Sequence, residues 1–363
     1  MKFLKILVLF SVISTFAQSP KKDSALDIVF FRGNSLAHTE DIYPLINGHP
    51  QGLLINYNIK TDGSEEWHRA YNKPDYGVYL LYQNFNSDPL GRCISGGFTY
   101  NFYFLNRNLA FKLGQGISYN TNPYDKETNN KNRSFGTAIT TNTIIGLNYK
   151  KEYLVDNFGL QAGLLLTHYS NGRIKSPNSG LNTVTFNVGV NYNFNEKHNY
   201  KLDSVYKKVK FTEPIKYNFV LRTGINESQI IRSGQKPFYH IGFYADKRIN
   251  RKSALQLGTE LFLTNSFKSL IQYKSVAYPE ENISANTDYK RLGVFVGHEL
   301  FVNKISLEAQ IGIYAYDPLK NNIPVYDRVG LKYYVNKNIF AGFTIKTHLF
   351  LAEAMEFGIG YRL

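Results

Sequence analysis

The sequence predicts an all-β protein: an antiparallel transmembrane β-barrel of the outer-membrane kind, with about 14–16 strands. Three observations predict it: segments of strict apolar/polar alternation, an export signal, and an aromatic, glycine-rich composition that is not hydrophobic on average. The alternation is cleanest late in the first half. Val184, Phe186, Val188, Val190, Tyr192 and Phe194 share one face, with Thr183, Thr185, Asn187, Gly189, Asn191 and Asn193 between them. That is the period of two of a strand. Its polar members are amides, hydroxyls and glycine rather than charges, which suits a barrel lumen better than the wet face of a soluble sandwich. The chain has 28 Tyr, 26 Phe and 28 Gly against two Met and one Cys. Its mean hydropathy is −0.31, the balance that aromatic girdles and a polar lumen produce.

Residues 1–17 read as a secretory signal. Lys2 and Lys5 form the basic start, Leu4 to Val12 the apolar core, and Ser14-Thr15-Phe16-Ala17 a small-residue cleavage region ending before Gln18. No lipobox cysteine is nearby, and no later run is long and apolar enough for a spanning helix. Cys93 is alone, so the fold needs no internal disulfide. Its setting is that of a wall residue rather than a catalytic thiol. The formal charge is +14, or +12 once the signal's two lysines are gone. In an exported barrel such a balance points to phosphate-bearing lipid headgroups, or to solvated turns, rather than to nucleic acid.

Candidate strands fall at 26–33, 51–60, 76–85, 92–104, 109–119, 133–149, 154–168 and 182–194. After a polar linker, 195–214, come 215–225, 237–247, 253–263, 288–298, 304–314, 326–335, 338–348 and 353–362. The total is even, as in bacterial barrels. Counting back from a periplasmic C-terminus puts the short turns inside and the longer segments, including 169–181 and 264–287, outside. The division is a signal (1–17), a first barrel half (18–194), the linker and a second half (215–363). The halves share faint likenesses, such as Ala162-Gly163 before Thr167-His168 and Ala341-Gly342 before Thr347-His348. One barrel of about sixteen strands is favoured, with two tandem eight-stranded barrels as the alternative. In the second half the position matching Ser170 is Phe350, and His348 falls on the lumen face, so it is read as structural.

The chemistry gathers at the end of the seventh strand. Phe158, Leu160, Ala162, Leu164 and Leu166 share the lipid-facing row, broken only by Leu165 on the other side, and the row continues to His168 and Ser170. The next strand's apolar row, followed backwards from Val184, reaches Asn182. A His, a Ser and an Asn therefore meet at the top of the lipid-facing wall. His-Tyr-Ser-Asn-Gly, followed by Pro177-Asn178 and Gly180-Leu181-Asn182, resembles the active-site signature of the lipid A 3-O-deacylase (PagL) and acyloxyacyl hydrolase family, over roughly Gly63 to Phe194. The resemblance implies an outer-membrane enzyme that cleaves an ester-linked acyl chain from lipid A with a Ser-His-Glu triad on the outer barrel wall. It matches His168 to the base, Ser170 to the nucleophile, and Asn171 and Gly172 to the oxyanion region. The family's glutamate falls at Asn182, where this sequence departs.

A serine hydroxyl attacks an ester only when a base takes its proton and donors hold the oxyanion. Asn182 can orient the imidazole but adds no charge to stabilise its cation. Arg173 and Lys175, in the same loop, are the candidates for binding headgroup phosphates. The expected partners are lipopolysaccharide and outer-membrane lipid. The reaction calls for no cofactor and no metal, and the sequence is silent on oligomeric state. The rival is a non-catalytic barrel, porin or structural, in which His168-Tyr169-Ser170 are ordinary rim residues and Asn-Gly a common turn. Other clusters, such as His68 beside Glu65 and Glu66, lack metal-ligand spacing, and Trp67-His68 with Tyr71 reads as an interfacial aromatic group.

Overall fold

The computed structural model describes residues 23–37, 39–197, 211, 213–349 and 351–363. The signal and most of the linker lie outside the described residues. In the first half β1 spans Ser24–Leu36, β2 Gln51–Lys60, β3 Asp75–Asn84 and β4 Arg92–Phe104. β5 follows at Leu109–Asn120, β6 at Ile139–Val155, β7 at Phe158–Ser170 and β8 at Leu181–Asn193. The second half holds β9 Lys216–Asn226, β10 Lys236–Arg248, β11 Ser253–Thr264 and β12 Arg291–Val302. It ends with β13 Ile305–Tyr316, β14 Val325–Tyr334, β15 Ile339–His348 and β16 Leu351–Arg362.

These sixteen strands close as two barrels of eight, the alternative above, and not as the single larger barrel. The reason is edge pairing. β8 returns to β1, from Ala25 opposite Asn193 to Leu36 opposite Asn182. β16 returns to β9, from Phe357 opposite Thr223 to Arg362 opposite Asn218. Each half thus satisfies its own edge backbone groups and leaves none for the other. Eight strands also leave an interior that side chains can fill.

The alternation divides wall from lumen as expected: Phe98, Ile117, Phe186, Val188, Leu257 and Ile359 are exposed on the outer walls. The lumen is less uniformly polar than expected. In the first barrel an apolar cluster that includes Phe31, Leu81, Phe85, Phe135 and Tyr169 also takes in Cys93 and Leu165, which explains why Leu165 breaks the polar row. Further along, Lys150 pairs with Asp27 at 2.8 Å and Lys60 with Glu152 at 2.9 Å. The second lumen is a lattice of ions. Arg328 grips Glu356 through Nε at 2.6 Å and Nη2 at 2.9 Å and reaches Glu260 at 2.7 Å. Arg222 bridges Glu260 and Glu308, Lys332 holds Glu299 at 3.1 Å, and Arg291 and Lys346 share Glu353. Many of the basic residues therefore serve the interior, paired with acids, and not headgroups or turns. His348, 5% exposed, joins this lumen through Tyr314 Oη at 2.9 Å.

Two expected elements differ. The sixth strand begins at Ile139 rather than 133, because the Asn132 side-chain Oδ1 accepts the Ser134 and Phe135 amides and turns 133–138 into a loop. The outer segment 264–287 contains a helix, α2 (Ser266–Ala277), which buries Phe267, Leu270 and Ile271 against Leu319. A short helix, α1 (Glu66–Ala70), lies on the short-turn side, and its Trp67 packs near Tyr76 and Tyr100. The barrels meet at both ends. On the short-turn side Tyr71 Oη donates to the Phe301 carbonyl at 2.6 Å, Arg251 pairs with Glu66, and Lys252 donates to the Ala70 carbonyl. At the far end the loop between β7 and β8 rests on the second barrel.

Candidate active site

The end of β7 is fixed from both of its faces. On the lumen side Thr167 and Tyr169 are buried, and both hydroxyls donate to Gln83 Oε1, at 3.1 and 2.7 Å. Gln83 in turn donates to Thr183 Oγ1 of β8 at 3.1 Å. The flanking positions, His168 and Ser170, consequently take the outer phase, in line with the exposed Leu160 and Leu164. Had Ser170 pointed into the lumen, the catalytic reading would have failed.

His168 pairs with Asn182 across the β7–β8 register. Its Nδ1 lies 2.6 Å from Asn182 Oδ1. An amide oxygen only accepts, so this contact puts the ring proton on Nδ1 and leaves Nε2 with its lone pair. Gly180, at φ +71°, packs over the pair: a Cβ there would lie 3.4 Å from His168 Cε1 and 3.7 Å from Ser170 Cβ. The histidine and the serine thus line one small space that a larger residue would enter.

Ser170 is 3% exposed, covered by its own loop. Two donors reach its Oγ: the Gly172 amide at 3.0 Å and Asn178 Nδ2 at 2.9 Å. Gly172 adopts φ +61°, and a Cβ there would sit 2.8 Å from Met355 Cβ of the second barrel, so glycine is required on both counts. The Asn171 amide, expected to serve the oxyanion, is instead occupied by Asn178 Oδ1 at 2.8 Å. The Asn171 side chain ties down the loop through the Lys175 carbonyl at 2.9 Å. Asn178 is the contact of Ser170 to which the sequence reading gave no role. It stood inside the Pro-Asn-x-Gly continuation, yet nothing in the pattern said that its amide would fold back onto the serine.

Arg173, also at positive φ, is half-buried, and Lys175 is exposed. Burial lowers the Arg173 pKa, and the neighbouring Glu353 carboxylate opposes that shift. Lys175 is therefore the freer cation for a headgroup. Among the described residues no group of three His, Cys, Asp or Glu is placed to hold a metal ion.

Comparison with known proteins divides the chain as the barrels do. Residues 51–191 match the family model for lipid A 3-O-deacylase (PagL), and residues 215–363 match the one for the acyloxyacyl hydrolase C-terminal domain. No match was found among curated proteins. Solved structures similar in outline include a variant of the Rh. blastica porin (9% identity, 94% of this chain and 100% of that one, TM-score 0.20). Another is Acinetobacter baumannii OccAB3 (12%, 94% and 99%, 0.21). Scores this low bear on neither fold nor function. The two family models together cover most of both barrels and carry the assignment: the chain belongs to the lipid A 3-O-deacylase (PagL) and acyloxyacyl hydrolase family of outer-membrane hydrolases that act on lipid A.

Proposed function

We propose that the protein removes an ester-linked acyl chain from lipid A, with Ser170 as nucleophile and His168 as general base. The observation that carries this reading is the oriented pair on one lipid-facing strand edge. Asn182 holds His168 through Nδ1, which leaves Nε2 unprotonated, and Ser170 Oγ already faces two donors. Ser170 Oγ attacks the ester carbonyl carbon while Nε2 takes its proton, and the carbonyl electrons move onto oxygen. The Gly172 amide and Asn178 Nδ2, both within 3.0 Å of Oγ, are the nearest donors for that charge. Collapse expels the alcohol oxygen, which takes the proton back from His168. Water, deprotonated by the same ring, then releases the fatty acid from Ser170. Lys175 and Arg173 lie beside the site on the outer side, where they suit the phosphates of the headgroup. These steps need only the chain's own residues and water.

Mass spectrometry of lipid A incubated with purified protein, wild type beside Ser170→Ala, tests the proposal. Loss of one acyl mass with the wild type alone is expected, and that mass names the chain removed. No loss with either protein, in detergent and in membranes, would leave a non-catalytic barrel.

A further inference from the structure

The loop that covers Ser170 is held from two sides: the Ser179 and Gly180 amides donate to the Arg133 and Ser134 carbonyls of the first barrel, and residues before them are held by the second barrel. Glu227, just beyond β9, is 2% exposed. Its Oε2 accepts the Ser176 amide at 2.8 Å, and its Oε1 accepts the Gly234 amide of its own loop at 2.9 Å. Its backbone amide donates to the Arg173 carbonyl at 3.1 Å. Ser176 Oγ donates to the Ser228 carbonyl at 2.7 Å, and Gln235 Nε2 to the Ile174 carbonyl at 3.0 Å. Gly172 sits against Met355 of β16. Three residues of the stretch 173–176, namely Arg173, Ile174 and Ser176, are thus engaged by one loop of the other barrel, with a buried carboxylate at the centre. A buried carboxylate is costly unless donors surround it, and here the donors include the loop itself.

Two residues after Ser176 comes Asn178, which donates to Ser170 Oγ and accepts the Asn171 amide. The first barrel supplies the serine and the histidine. The part of the loop that leads up to the aiming Asn178 is docked on the second barrel, through Arg173, Ile174 and Ser176. We infer that the second barrel is a clamp for the active-site loop and that Glu227 is a positioning residue, acting on Ser170 through Ser176 and Asn178. This assigns a task to the half of the chain that supplies neither Ser170 nor His168. Its catalytic part rests on the proposed deacylation, while its structural part does not.

The test uses the full chain with Glu227→Ala and Glu227→Gln. Amide hydrogen exchange of peptides covering 171–180 is read beside deacylation kinetics, with heat-modified gel mobility as the check that both barrels are folded. Glu227→Ala is expected to speed exchange in 171–180 and to lower kcat roughly ten- to hundredfold, the scale of a misplaced catalytic loop, with KM little changed. Glu227→Gln, which keeps the volume and one acceptor oxygen, is expected to fall between Glu227→Ala and wild type. Unchanged exchange in a folded Glu227→Ala protein overturns the clamp, and faster exchange with unchanged kcat overturns the positioning role. If the wild type itself releases no acyl chain, the deacylase reading fails. Exchange alone then decides the clamp, with faster exchange in the variant upholding it and unchanged exchange overturning it.

Discussion

In the proposed reaction Asn182 would set how well His168 works. Its oxygen holds the ring at 2.6 Å but would offer no charge to the imidazolium formed as Ser170 attacks. Asn182→Asp keeps the length of the side chain and adds that charge. It should raise kcat by at least about tenfold, within the roughly four orders that separate acid from amide in the serine-protease triad. The sign of the pH effect follows from the same change. A carboxylate favours the charged ring, so more alkaline solution is needed to free the base, and the acid limb of the rate profile should move to higher pH. A folded Asn182→Asp enzyme no faster than wild type would remove Asn182 from the mechanism. At this scale the sequence was informative where chemistry follows strand phase: His168, Ser170 and Asn182 all take the predicted face. It was silent where a side chain folds back across a loop, as Asn178 does, because no periodicity governs that return.

The strands were legible because their outer faces meet lipid, and lipid enforces alternation. What points inward is a different matter. Arg328 and Lys332 stand four residues apart on the inward face of β14, with Gly330 between them on that face, and look in sequence like isolated charges; closure of the barrel gives them Glu260, Glu299, Glu308 and Glu356. Partners this far apart in the chain leave no local signal. Removing one member strands the rest without water. Arg328→Ala should therefore destabilise the second barrel by about 3–5 kcal/mol, read as lost urea resistance in the circular dichroism of detergent-solubilised protein. A shift under about 1 kcal/mol, the size of an exposed ion pair, would mean that the lumen is wetter than its packing implies. α2 was missed for a related reason: Phe267, Leu270 and Ile271 are apolar against Leu319, a partner visible only once the barrel has closed.

Across the whole molecule, the sequence showed sixteen strands but not where they would close, because closure is set by which edge reaches which. Two small barrels differ from one large barrel in what passes through them. With Phe31, Leu81, Phe135 and Tyr169 packed in one lumen and the ion lattice in the other, neither leaves a water-filled bore. Purified protein in a planar bilayer should conduct no measurable current at voltages where a sixteen-stranded porin conducts. Stable open-channel steps would contradict both the packing and the closure. The position of Ser170 on a convex wall has a further consequence. Below it Leu164 and Phe186 are open to the surroundings, 43% and 75% exposed, and no pocket floor closes off the row. An acyl chain lying along that wall is bounded by neighbouring lipids on its free side. In the proposed reaction that wall would then supply no ruler for chain length: selectivity would be exercised at the ester and the headgroup, under the loop that covers Ser170, while the severed fatty acid would already lie beside the leaflet's own lipids.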